Sequence, residues 1–197
     1  MSRGDVPAYW QQACRDLAAR DHVLRGLIKE YPDAQLRSRG SAFETLLRAI
    51  VGQQISVKAA QSVWTRFEAA VKDVSPTSVL DLSPQKLQSC GLSRQKVTYI
   101  RDLAGHFDSG AVNPRRFRAL DDETLIETLC DVRGIGRWTA EMFLIFHLRR
   151  PDIYPLQDIG LIRAVERCYR DGNPLKKGEL TAIGERWRPW RTVATWY

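Results

Sequence analysis

The stretch DDETLIETLCDVRGIGRWTAEMFLIFHLRRPDIYPLQDIGLIRAVERCY, Asp121 to Tyr169, sets the reading of the rest of the chain. Two short helical patterns flank a Gly-Ile-Gly hairpin, and a proline-containing loop then leads to Asp158 at the start of a third helix. Leu125, Ile126 and Leu129 make one apolar stripe before the hairpin; Ala140, Phe143, Leu144 and His147 make another after it. At Arg133-Gly134-Ile135-Gly136 the backbone must turn sharply and approach something closely, which calls for glycine. Amides that open the helix from Arg137 have no partner within it. With Arg133 and Arg137 alongside, they predict an anion site, and the anion expected is a phosphate. An ordinary helical turn is the plain alternative.

Working outward, the upstream pattern is helical throughout. Tyr9, Trp10, Ala13 and Leu17 share a face, and Asp21 is a candidate cap for a second helix that ends at Tyr31-Pro32. A polar segment to Gly40 reads as a linker. Ser41-x-x-Glu44 forms a capping box ahead of Phe43, Leu46, Leu47, Ile50 and Val51, which keep helical spacing without a miss. Gly52 ends that helix, Gln53-Gln54-Ile55-Ser56 makes the turn, and Ser56 caps a helix whose expected inner face is Val57, Ala60, Trp64, Phe67 and Val71. Ser83-Pro84 and Ser93 begin two more helices. Arg94, Lys96 and Arg101 read as solvated. Downstream, helices are expected over 159–169, over about 179–187, and from Pro189 to the end. No strand-like alternation, internal repeat or low-complexity tract interrupts this, so the fold class is all-α.

Lys plus Arg is 30 and Asp plus Glu 23, a net charge of +7 that suits a polyanionic partner. No apolar run approaches the roughly 20 residues that span a bilayer, and MSRGDVPAYW lacks the apolar core of a secretory signal. A cytoplasmic protein with no membrane partner is expected. Cys14, Cys90, Cys130 and Cys168 are scattered and read as small core residues. Neither they nor His22, His106 and His147 show zinc-ligand spacing.

LCDVRGIGRWTAEMF followed by PLQD resembles the helix-hairpin-helix DNA glycosylases, in particular the alkylbase glycosylases of the DNA-3-methyladenine glycosylase II type. The likeness reaches back to AFETLLRAIVGQQISVKAA and forward to ERWRPWRTVATWY. It implies an all-α, two-lobed helical fold with the active site in the interlobe cleft. One lobe, 42–148, would carry the wedge loop and hairpin; 1–41 with 149–197 would form the second and carry the catalytic aspartate. Relatives with an iron–sulfur cluster hold it by four closely spaced C-terminal cysteines, a pattern absent here, so no cluster and no required cofactor are expected. Larger bacterial relatives have an added N-terminal β-containing domain, for which this chain is too short. Relatives also continue a few residues past the position of Tyr197, so part of the base pocket is expected to lie beyond it.

The resemblance assigns roles residue by residue. Gln54 occupies the position that wedges into DNA when a base is extruded, and Gln53 sits near the mouth of the base pocket. Two adjacent amides at a helix junction are otherwise a solvated turn. Gly134, Gly136 and Thr139, with Arg133, Arg137, Ser56 and Lys58, are the expected phosphate contacts, which position DNA without reading sequence. Carbonyls of Cys130, Val132 and Ile135 correspond to a monovalent cation site, Na+ or K+. Trp138 and Met142, one turn apart on one helix face, line the base pocket, although such a pair standing alone reads first as core. There a tryptophan ring stacks well on a cationic alkylated purine.

Asp158 is the candidate catalytic residue. Breaking the bond between base and sugar leaves positive charge on the sugar, and a carboxylate about 4 Å away at an effective dielectric near 20 would stabilise it by about 4 kcal/mol. That is roughly a thousandfold in rate. A plain N-cap is the alternative, and both roles are compatible. Strand-cutting members of the superfamily place a lysine where this chain has Trp138, so the expected activity is a monofunctional glycosylase acting, as a monomer, on double-stranded DNA containing alkylated bases. Two rivals stay open: a non-catalytic helix-hairpin-helix DNA-binding module, and a glycosylase/lyase for other damaged bases.

Overall fold

The computed structural model describes residues 6–37 and 40–197, and every regular element among them is helical. In chain order these are α1 (Trp10–Arg20), α2 (His22–Glu30), α3 (Ala42–Gly52), α4 (Val57–Ala70), α5 (Pro76–Asp81), α6 (Pro84–Ser89) and α7 (Arg94–Asp108). A 3-10 turn (Pro114–Ala119) leads to α8 (Asp122–Cys130) and α9 (Arg137–Phe143), which runs into one π-helical turn (Leu144–Leu148). The last three are α10 (Ile159–Arg170), α11 (Lys177–Glu185) and α12 (Arg191–Trp196). No helix among the described residues is long and apolar enough to cross a membrane. The chain divides into two compact units, Gly40–Ala140 and Met1–Arg39 with Glu141–Tyr197.

Helix starts in the first unit are fixed locally. The side chains of Ser41, Ser56, Ser75, Ser83, Ser93 and Asp121 each accept an amide of the following turn, satisfying a donor that the helix cannot. Packing then follows from the apolar stripes. Phe43, Leu46, Leu47 and Ile50 of α3 are buried together with Trp64 and Phe67 of α4 and Val97, Ile100 and Leu103 of α7, and α7 packs on α3, α5 and α6. Each such side chain contributes about 1.5–3 kcal/mol.

Several expectations are corrected. Val57 is 89 % exposed rather than part of the core; as the first residue of α4 it has no preceding turn to cover it, and the inner face begins at Val63. Cys130 is exposed because the buried stripe of α8 is Leu125, Ile126 and Leu129, and Cys168 is only half-buried on α10, whose buried positions are Leu161 and Val165. Lys96 and Arg101 are not simply solvated: Arg101 donates to the carbonyls of Leu80 and Leu82, closing the end of α5, and Lys96 is described below. The pattern through His147 changes from α to π at Leu144, where one carbonyl takes the amides of both Arg149 and Arg150. The unit boundary falls inside α9, ahead of 148, because the residues after it are fastened to the N- and C-terminal elements. Tyr9 donates to Arg149 O, Thr192 donates to Arg150 O, and Phe146 packs edge-on against Trp196. The final helix begins at Arg191, two residues past Pro189.

In this second unit the polar centre is Asp21, which is 5 % exposed. It caps α2 by accepting the amides of Val23 and Leu24, and its other oxygen accepts Tyr169 Oη at 2.9 Å and Trp187 Nε1 at 3.2 Å, with Arg186 3.4 Å away. One carboxylate thus joins α1–α2 to α10 and the end of α11. Burial alone would raise its pKa, but the donors together outweigh burial and hold it below the usual value. A depressed carboxylate pKa gives stability that is present above the unfolded-state value and lost as pH falls through the folded one. Asp21→Ala, which strands the buried Trp187 donor and the half-buried Tyr169 hydroxyl, should therefore destabilise this unit by about 3 kcal/mol in denaturant unfolding. Asp21→Asn should remove part of the stability loss that the native chain shows on acidification below about pH 4.

Candidate nucleic-acid interface

The hairpin is built from the end of α8. Val132 N–H returns to Leu129 O and Ile135 N–H to Val132 O at 3.0 Å, so the chain reverses within four residues. Gly134 has φ +85°, in the left-handed region, and a Cβ there would lie 2.2 Å from Cδ2 of Tyr99. The close approach expected at the hairpin is thus made to this ring of α7. Gly136 differs: a Cβ would meet nothing within 4 Å, so its backbone faces open space. Asp102 accepts the Arg133 amide at 2.8 Å and lies 3.9 Å from its guanidinium, which is 70 % exposed. Arg137, expected beside an anion, forms a two-pronged pair with both oxygens of Glu123, and this guanidinium holds the Glu123 carboxyl below its usual pKa. A phosphate at Arg137 would compete with that carboxylate.

The other half of the candidate interface is the turn between α3 and α4. Gln54 takes φ +58° and is exposed, with Ile55 beside it 40 % exposed. A glutamine in this conformation costs about 1–2 kcal/mol and needs surrounding bonds to hold it. Gln53 supplies one: its Nε2 donates to Gly134 O at 2.8 Å, tying the turn to the hairpin. Lys96 supplies two, with Nζ donating to Val51 O and Gln53 O, each at 2.7 Å. Partial burial lowers the pKa of this ammonium. Between turn and hairpin lies a polar cavity of about 320 Å³, lined by Gln53, Gln54, Ser93, Gln95, Lys96, Tyr99, Gly134, Gly136 and Thr139. Ser56 is committed to the cap of α4 through the Ala59 amide, and Lys58 is exposed on its first turn.

Of the residues singled out from sequence, the structure brings Gln53, Gln54, Gly134, Gly136 and Thr139 around one cavity. Trp138 is 46 % exposed on α9, with Met142 half-buried one turn further along. In the second unit, Asp158 stands at the N-terminus of α10, where its Oδ1 accepts the Leu161 amide at 2.8 Å. That bond fixes the carboxyl orientation. Sequence reasoning missed Lys96, Tyr99 and Asp102. Their spacing is a signal in its own right: with His106 they form a second, polar stripe along α7.

A family model described as the HhH-GPD superfamily base excision DNA repair protein matches residues 47–189. The chain belongs to that superfamily. It is 31 % identical over 176 residues to DNA-3-methyladenine glycosylase 1 of Schizosaccharomyces pombe, covering 87 % of this chain and 77 % of that one. The crystal structure of a DNA-3-methyladenine glycosidase from Bacillus halodurans is similar over 100 % of this chain and 89 % of its own, with 33 % identity and a TM-score of 0.88. The Schizosaccharomyces pombe 3-methyladenine DNA glycosylase in complex with abasic DNA matches at 29 % identity and a TM-score of 0.81, covering 94 % of both chains. The superfamily match spans the turn, the hairpin and Asp158 alike.

Gly134→Ala forces a side chain into the Tyr99 ring and an L-residue into φ +85°. Together these should cost about 3 kcal/mol in denaturant unfolding. Adding Tyr99→Ser should recover the steric share and leave the dihedral share, so the double variant should lie well short of the sum of the singles.

Proposed function

We propose that the chain is a monofunctional DNA glycosylase of base excision repair. It flips alkylated purines such as 3-methyladenine out of duplex DNA and hydrolyses the N-glycosidic bond to leave an abasic site. The observation that carries this is membership of the superfamily together with near full-length similarity to chains named 3-methyladenine glycosylases. Extrusion costs a few kcal/mol, least for a damaged, poorly paired base. Gln54, exposed on a left-handed turn, is shaped to enter the gap that extrusion leaves. Gly134, Gly136 and Thr139, with Arg133, Ser56 and Lys58, contact phosphates and hold the opened strand in register, and Arg137 joins them where a phosphate displaces the Glu123 carboxylate.

Trp138 presents a half-exposed ring for stacking on a cationic purine, and polarisable Met142 shares its helix face. As the glycosidic bond breaks, its electron pair leaves with the base and positive charge develops on the sugar. The Asp158 carboxylate stabilises that charge and accepts the proton of the water that adds to the sugar carbon. An alkylated purine departs as a neutral molecule, so no separate general acid is required. Tryptophan rather than lysine at position 138 leaves no amine there to form a Schiff base, and the strand stays intact. A monovalent cation on the carbonyls of Cys130, Val132 and Ile135 suits the neutral oxygen donors and partial negative charge where α8 ends, and would stiffen the hairpin. Partners are then duplex DNA with alkylated bases, met by a monomer in the compartment that holds the DNA.

Asp158→Asn keeps an acceptor for the Leu161 amide, since asparagine caps as well as aspartate. Single-turnover release of bases from methylated duplex DNA should fall roughly a thousandfold in this variant, with DNA affinity retained. Equal release by both proteins would reduce Asp158 to a cap.

A further inference from the structure

Lys96 has no role in the chemistry above, yet its ammonium is placed as a clamp on the turn that carries Gln54. The last carbonyls of α3 have no partner within the helix, and a cation is favoured at that end. Lys96 Nζ reaches two of the oxygens concerned, Val51 O inside the last turn and Gln53 O just beyond it, each at 2.7 Å. Gln54 follows immediately at φ +58°, a conformation that its own side chain does nothing to favour. The lysine stem comes from α7, which is packed on α3, and one turn further Tyr99 of that helix closes on Gly134. Gln53 completes the frame by donating to Gly134 O.

We propose that Lys96 is a positioning residue for base extrusion: by holding the Val51 and Gln53 carbonyls it fixes the turn so that Gln54 enters the duplex already oriented. This rests on the wedge assignment of Gln54 made above. Lys96 acts through Gln54 and does not touch the reacting atoms. Two of its three N–H donors are committed to carbonyls, so it is a poor candidate for a phosphate contact. Its effect is specific to DNA in which a stacked, paired base must be displaced. A lesion in a single strand has no partner to leave and no gap to fill.

The test is single-turnover base release by Lys96→Met from one methylated oligonucleotide, either single-stranded or annealed to its complement, with the native protein alongside. The ratio of duplex to single-strand rates should fall about tenfold or more in the variant. In a Gln54→Ala background the same substitution should lower that ratio no more than about twofold further, because the two residues act in series. The dependence of duplex affinity on salt should be unchanged. Equal loss on both substrates, no loss, or a salt slope reduced by about one would overturn the proposal, the last by making Lys96 a phosphate contact. Lys96→Gln replaces Lys96→Met in every arm if the latter is not recovered folded. A native protein that releases no base from either substrate overturns the glycosylase reading and this proposal with it. A native protein that is active, beside a variant with an unchanged ratio, overturns this proposal alone.

Discussion

Gly134 has no side chain, and the ring of Tyr99 fills the space where one would begin. That contact sets the distance between α7 and the hairpin, and much of the candidate nucleic-acid face follows from it. Once the ring is seated, the Gly134 carbonyl lies where Gln53 Nε2 can donate to it, and Asp102, three residues beyond Tyr99, accepts the Arg133 amide. Lys96, three residues before Tyr99, fastens the α3–α4 turn. One polar stripe on a single helix therefore aligns the α3–α4 turn and the hairpin. A loop held this way gives up little conformational freedom on binding, and that lowers the cost of ordering it against DNA.

The cationic side chains divide between structure and partner. A net charge of +7 points to a polyanion, but charge is not a count of phosphate contacts. Arg101 closes the end of α5, Arg66 donates to Cys90 O, Arg191 is bound to Asp152, and Arg137 is held by Glu123. What the hairpin offers instead is backbone that can be approached closely: Gly136 faces open space, and the neighbouring cavity is lined mainly by amides, hydroxyls and one ammonium. Such a surface suits the proposed backbone contacts, which hold a strand without reading its sequence.

Much of this was legible in the residues because its causes are local. Ser41, Ser56, Ser83, Ser93 and Asp158 each mark a helix start that the structure repeats, and the stripe Phe43, Leu46, Leu47, Ile50 is buried as its spacing requires. Gly134 was legible as a close approach, but not what it approaches. The partners of Lys96 lie 43 and 45 residues away in the chain, and Gln53 bonds a carbonyl 81 residues on, so no local pattern names them. Asp21 shows the same limit: its cap on α2 could be read, whereas its bonds to Tyr169 and Trp187 join residues 148 and 166 positions apart. The π turn at Leu144 was hidden because the apolar stripe through it keeps ordinary helical spacing, and the change arises where the chain closes on Arg149.

On the proposed reading this chain releases a base and leaves the strand whole. Incubating methylated duplex DNA with the native protein and measuring both the free base and the length of the strand, before and after mild alkali and with borohydride present, is the decisive experiment. Free methylpurine, full-length strand before alkali, cleavage only after alkali, and no trapped covalent adduct are predicted. A strand already cut before alkali, a borohydride-trapped protein–DNA adduct, or DNA binding with no base released would contradict it.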